Sequence, residues 1–212
     1  MIAWTKSLRD ACAQAHVSID AVVNALEHDS DPRHKESADP DFTNSPLVEL
    51  TDHIINTHHA YVKQEIPRIH NLLSKVVSVH GKNHPELAQV QRTFQAMSGE
   101  LISHLMKEEN ILFPYISALE DATRQGRPAP RPPFGTVSNP VHMMEMEHDS
   151  AGAALKEMRN FTADYTAPDD ACFSYKTLYA ALSDFEADLH QHVHLENNIL
   201  FPRAIELESQ TA

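Results

Sequence analysis

The sequence predicts an all-α protein: a four-helix bundle built from two helical hairpins, with a short helical N-terminal extension. Three observations predict it. Only five of the 212 residues are glycine, so long windows lack a residue that weakens helix interiors. Apolar residues recur at alternating spacings of three and four, the pattern of a helix with one face in a core. One segment is also written twice, as ELISHLMKEENILFP over residues 100–114 and DLHQHVHLENNILFP over residues 188–202, at an offset of 88 residues.

The elements follow in order. Residues 1–44 read as a small helical piece and a linker. Ser18 can cap IDAVVNALE, whose Ile19, Val22, Val23 and Leu26 mark an apolar face. Residues 28–44 are polar, carry prolines and lack apolar residues except Phe42. The bundle is predicted over 45–207. Its first helix starts at Ser45-Pro46, a capping hydroxyl followed by a proline whose fixed φ suits a first turn. The stripe Ile55, His59, Val62, Ile66 and Ile69 turns His59 inward, and Pro67 predicts a kink nearby.

HGKNHPE, residues 80–86, is the first hairpin turn. The second helix has the stripe Val90, Phe94, Met97, Leu101, His104, Glu108, Ile111 and Tyr115, and is expected to end near residues 118–121. A proline-rich crossover, residues 126–135, leads to a third helix with the seam Val141, Met144, His148, Ala151, Leu155 and Met158. A loop at 166–171 precedes the fourth, whose seam is Leu178, Leu182, Phe185, Leu189, His192, Glu196 and Ile199.

Composition narrows the function. A formal net charge of −13 at pH 7 argues against nucleic acid or an anionic membrane as the main partner. No run of apolar residues is long enough for a membrane span, and MIAWTKSLRDACAQAH has no secretory apolar core, so a cytoplasmic protein is expected. Two cysteines, Cys12 and Cys172, cannot make a disulfide framework and read as reduced thiols in helices.

The chemistry lies in the repeat. Each copy carries His-x-x-x-Glu, namely His104/Glu108 and His192/Glu196. An imidazole and a carboxylate four residues apart stack on one helical face. Both pairs fall on the apolar seam, where an unpaired carboxylate is strongly disfavoured, so the glutamates must be paired or metal-bound. If the hairpins are pseudo-equivalent, a histidine should precede each pair at a matching distance. His59 precedes His104 by 45 residues and His148 precedes His192 by 44. The candidate ligand set is therefore His59, His104, Glu108, His148, His192 and Glu196.

Other histidines compete on position. His58, His190 and His194 adjoin ligands in sequence and should point away into solvent. His53 lies six residues from His59, about 240° around the helix. His80 stands about 30 Å along a straight helix from His59, within reach only if the chain breaks early near Pro67. Glu100 and Asp188, one turn before His104 and His192, either hold a free ring nitrogen or are solvated surface acids; Glu147, beside His148, is a similar candidate.

Four imidazoles and two carboxylates suit iron, manganese or zinc better than calcium or magnesium. If both glutamates bridge, each metal receives two nitrogens and two carboxylate oxygens, a solvent-derived oxo or hydroxo bridge adds one donor, and one position stays open for a diatomic molecule.

HIINTHHAY, HLMKEENILFP, MEMEHDSAG and HVHLENNILFP, in this order, resemble the bacterial haemerythrin-like di-iron proteins of the "repair of iron centres" (Ric) family over roughly residues 45–205. The resemblance implies two iron ions, nitric oxide as a small ligand and nitric oxide reductase-type activity as an open question. It also implies damaged iron–sulfur proteins as clients and the same six ligands. The alternative is reversible binding or sensing of dioxygen or nitric oxide. The Cys-Cys-Gly-Gly stretch that begins full-length members is not present in WTKSLRDACAQAHVSIDAVVNALE. Any step needing those thiols is open, as is the oligomeric state.

Overall fold

A computed structural model describes residues 7–27 and 41–211. The chain separates into two compact units, Met1–Asn44 and Ser45–Ala212. The first holds α1 (Leu8–Ala15) and α2 (Ile19–Glu27). Ser7 caps α1 by accepting the Asp10 N–H, and His16 closes it in the left-handed region at φ 55°. Most of the linker, residues 28–40, lies outside the described residues.

The second unit is the bundle. Its first long helix comprises α3 (Leu47–Ile54), a π turn at Ile55–His59 and α4 (Ala60–His80). The second comprises α5 (Glu86–Lys107), a π turn at Glu108–Leu112 and α6 (Phe113–Arg124). The third, α7 (Ser138–Phe161), is an uninterrupted α-helix. The fourth comprises α8 (Phe173–Leu195), a π turn at Glu196–Leu200 and α9 (Phe201–Thr211). α5 packs against α4 and α7, and α4 against α8. Among the described residues no helix is long and apolar enough to cross a membrane.

The π turns correct three expectations. A π turn accommodates an extra residue, which moves everything after it by one position around the helix. Ile111 is therefore 50 % exposed while Leu112 is buried, and Leu200, not Ile199, enters the core. On the first helix Ile54 is buried and Ile55 only partly so, five residues ahead of His59 instead of four. Pro67, expected to kink the first helix, lies inside α4, which runs on to His80. The irregularity sits at His59 instead, and the other two begin at Glu108 and Glu196.

Ser45 is not the cap of the first helix. The backbone N–H groups of Leu47 and Val48 donate to the Glu120 carboxylate at 2.7 and 3.1 Å, where a negative charge also meets the helix dipole. The repeat reproduces the device 88 residues on: both oxygens of Glu208 accept from Val137 N at 3.0 Å, ahead of α7. The tails α6 and α9 thus pin the starts of the two helices that carry His59 and His148. Cys172 precedes α8 instead of lying within a helix, and both cysteines are free thiols.

Candidate metal centre

The fold brings the six candidate residues together, all of them buried. They form two groups that share both carboxylates: His59, His192, Glu108 and Glu196 in one, and His104, His148, Glu108 and Glu196 in the other. Glu108 spans them, with Oε2 at 3.4 Å from His59 Nε2 and Oε1 at 3.2 Å from His104 Nε2. Glu196 does the same, with Oε1 at 3.0 Å from His192 Nε2 and Oε2 at 3.2 Å from His148 Nε2. Within each group two imidazole nitrogens converge, His59 on His192 at 3.1 Å and His104 on His148 at 3.0 Å. Every facing atom is a lone-pair donor to a metal.

Electrostatics set the charge of this cage. Burial opposes ionisation of Glu196, yet the surrounding imidazoles hold its carboxyl well below the ordinary value; Glu108 is lowered in the same way by His104 and His59. Burial also disfavours a charged His104, but Glu108 and Glu196 outweigh it and raise the imidazole to about 9. His59 is likewise raised, by Glu108 above all after the burial cost. His192, completely buried, is lowered because desolvation wins there. The cage thus favours ionised carboxylates at Glu108 and Glu196, with the His104 imidazole raised furthest to meet their charge.

The outer ring nitrogens find partners, of which Glu147 was a candidate from the sequence while Glu109 and Asn197 were not. His59 Nδ1 pairs with Glu109 at 2.7 Å, and the same Glu109 oxygen accepts from Lys63 Nζ at 2.6 Å. His104 Nδ1 pairs with Glu147 Oε2 at 2.8 Å, while Lys107 takes the other Glu147 oxygen. His148 Nδ1 donates to Asn197 Oδ1 at 3.0 Å. Glu100 instead accepts from Ser150 Oγ, and Asp188 pairs with His58 Nδ1 at 2.9 Å.

His58 was expected in solvent and is buried, its ring stacked on His192 at 5.6 Å. The π turn at Ile55–His59 lets two successive residues face inward. His190 and His194 are exposed as expected. His80 lies at the end of α4, with Nε2 at 3.2 Å from Cys172 Sγ and no part in either group. Glu109 and Asn197 were missed, although both directly follow a seam glutamate in the duplicated segment.

The donor set fits metal ions on this structure's own terms. Both oxygens of Glu108, Oε2 of Glu196 and Nδ1 of His192 are buried with no hydrogen-bond partner, a costly state that coordination of the carboxylates would relieve. A cavity of about 20 Å³ lies against His104, His148 and His192, with Met97, Leu101 and Ala151 in its wall.

Residues 50–204 match the family described as "Hemerythrin HHE cation binding domain". The chain is 39 % identical over 170 residues, 80 % of its length and 70 % of the relative's, to a Haemophilus influenzae protein named "Probable iron-sulfur cluster repair protein". It is 32 % identical to the "Iron-sulfur cluster repair protein YtfE" of Yersinia pseudotuberculosis over 203 residues, 94 % of this chain and 83 % of the relative. The protein of the same name from Escherichia coli O157:H7 is 32 % identical over 197 residues, 93 % of this chain and 84 % of the relative. With its all-helical bundle and its buried histidine–glutamate cluster, the chain belongs to the haemerythrin HHE cation-binding family and is a relative of the iron–sulfur cluster repair proteins.

Proposed function

We propose that this protein holds two iron ions, one in each ligand group, and protects or rebuilds iron–sulfur clusters by reacting with nitric oxide and by giving up iron. The observation that carries the reading is that two buried carboxylates stand in both groups at once, the arrangement of paired bridging ligands. Bound iron would supply redox chemistry and an open coordination position toward a diatomic molecule.

The chain's own residues do the rest. Glu108 and Glu196 would each serve both ions and bring two negative charges into a buried site. His59, His104, His148 and His192 would contribute neutral nitrogen once an ion is bound, which would leave the site less anionic than a carboxylate-rich one and favour the ferrous state. Glu109, Glu147 and Asn197 fix ring orientation through the outer nitrogens. The cavity of about 20 Å³ beside His104, His148 and His192 has room for a small molecule only. The free thiols fit a reducing compartment, and we assign the protein to the cytoplasm.

The test is metal analysis and optical spectroscopy of the purified protein, followed by exposure of its reduced form to nitric oxide. Two irons per chain, matching the two groups, and a new spectrum with nitric oxide are expected. Zinc in place of iron would overturn the redox reading. A stable dioxygen adduct, with no protection of a damaged cluster, would favour reversible binding instead.

A further inference from the structure

We propose that the two metal positions hold their ions unequally, and that the position between His59 and His192 releases its ion first. The inference rests on the metal-centre reading and names which ion is available for transfer. The two positions share both glutamates and differ in their histidines, so what orients the rings sets them apart.

At the His104/His148 position both rings are held. His104 Nδ1 donates to Glu147 Oε2 at 2.8 Å, and that oxygen is not the one Lys107 occupies. His148 Nδ1 donates to Asn197 Oδ1, a buried amide fixed on the π turn at Glu196–Leu200. At the His59/His192 position both supports are weaker. His59 Nδ1 shares its Glu109 oxygen with the Lys63 ammonium, which draws electron density from the accepting atom. His192 Nδ1 is buried with no hydrogen-bond partner among the described residues. The acid one turn before it, Asp188, is engaged by His58, which stacks flat on His192 without gripping its nitrogen.

The duplication makes the difference plain. Asn197 occupies the repeat position of Glu109, and His58 that of Glu147. Outer-nitrogen partners of metal-bound histidine typically contribute about 10–100-fold in metal affinity. An ungripped His192 should therefore place the two release rates apart by a factor of that order.

The experiment loads the full chain anaerobically with ferrous ions and follows their capture by a chelator. Two phases of equal amplitude are expected. Asn197→Ala should speed the slow phase by about 10–100-fold and leave the fast phase alone, while Asn197→Asp, which restores an acceptor for His148, should return the slow phase. His192→Ala should abolish the fast phase and keep the slow one. Release in a single phase from the unsubstituted chain, or an Asn197→Ala variant whose slow phase does not accelerate, would overturn the inference while leaving the metal centre intact. A folded protein that binds no ferrous ion at all would instead overturn the reading on which it rests. Because the Asn197 variants keep all six candidate ligands, a failure of His192→Ala to fold leaves their outcome decisive.

Discussion

The two hairpins are copies in what lines the candidate metal site and strangers in what stands behind it. Each supplies one histidine from its first helix and a His-x-x-x-Glu pair from its second, and each opens a π turn at that glutamate. Each also ends in a tail whose acid accepts from the start of the same hairpin's first helix, Glu120 in one and Glu208 in the other. Yet only the first hairpin carries a further π turn, at His59, while α7 passes His148 without one. Glu109 faces Asn197 across the pseudo-symmetry, and His58 faces Glu147. A repeat can thus preserve a ligand cage, which geometry demands, while the surroundings that tune it diverge.

The largest expected effects test whether the π turns shift the core register equally in both copies. Leu112→Ala and Leu200→Ala should each lower stability by about 2–5 kcal/mol, since both side chains are fully enclosed. Ile111→Ala, at an exposed position, should stay within about 0.5 kcal/mol. Chemical denaturation of the four variants, with Ile199→Ala as an intermediate case, measures this. An Ile111 variant as damaging as the Leu112 variant would restore the uninterrupted α-helical register.

Equivalent histidines should titrate in opposite directions in the metal-free protein. His104 is raised to about 9 by Glu108 and Glu196 against the cost of burial, whereas its counterpart His192 is lowered by burial. Nuclear magnetic resonance of the ring protons should show His104 still charged at pH 8 and His192 neutral at pH 7. A raised folded value means stability that is present in full below the unfolded value of 6.5 and is lost as pH rises through about 9. Metal uptake at pH 7 should expel a proton from His104, so calorimetry in buffers of different ionisation enthalpy should report proton release. Uptake without protons would contradict the charge balance among these side chains.

The smallest effect concerns the tails. Glu120→Gln and Glu208→Gln remove a charged acceptor from a helix start and should each cost about 1–2 kcal/mol. Glu208→Gln should be the costlier, because Glu208 also accepts from Tyr115 Oη at 2.5 Å. Thermal unfolding of the two variants decides between them.

Much of this was legible in the sequence, and the reasons are specific. His104, Glu108, His192 and Glu196 stood out because a carboxylate on an apolar seam is rare once and conspicuous twice. His59 and His148 followed from near-equal spacing to those pairs. The helix boundaries at residues 80–86 and the proline-rich crossover followed from turn chemistry. What stayed hidden depends on contacts between helices. Glu147 was a candidate for a free ring nitrogen, but no periodicity announces that the ring is His104 on α5, or that Glu120 closes the start of α3 in place of Ser45. The register after each glutamate was misread because a regular helical repeat was assumed through a turn that holds one residue more. Asn197 and Glu109 could have been found by asking which repeat positions differ beside the ligands.

The central claim is that Glu108 and Glu196 each serve both metal positions. Metal stoichiometry of four single variants, Glu108→Ala, Glu196→Ala, His59→Ala and His148→Ala, tests it most directly. Each glutamate variant should lose both ions, each histidine variant should keep more, and Glu108→Ala/Glu196→Ala should be less destabilising than the sum of its singles, since neither carboxylate is left buried alone. Glutamate variants that retain both ions while either histidine variant loses them would contradict the account and place these carboxylates outside the coordination sphere.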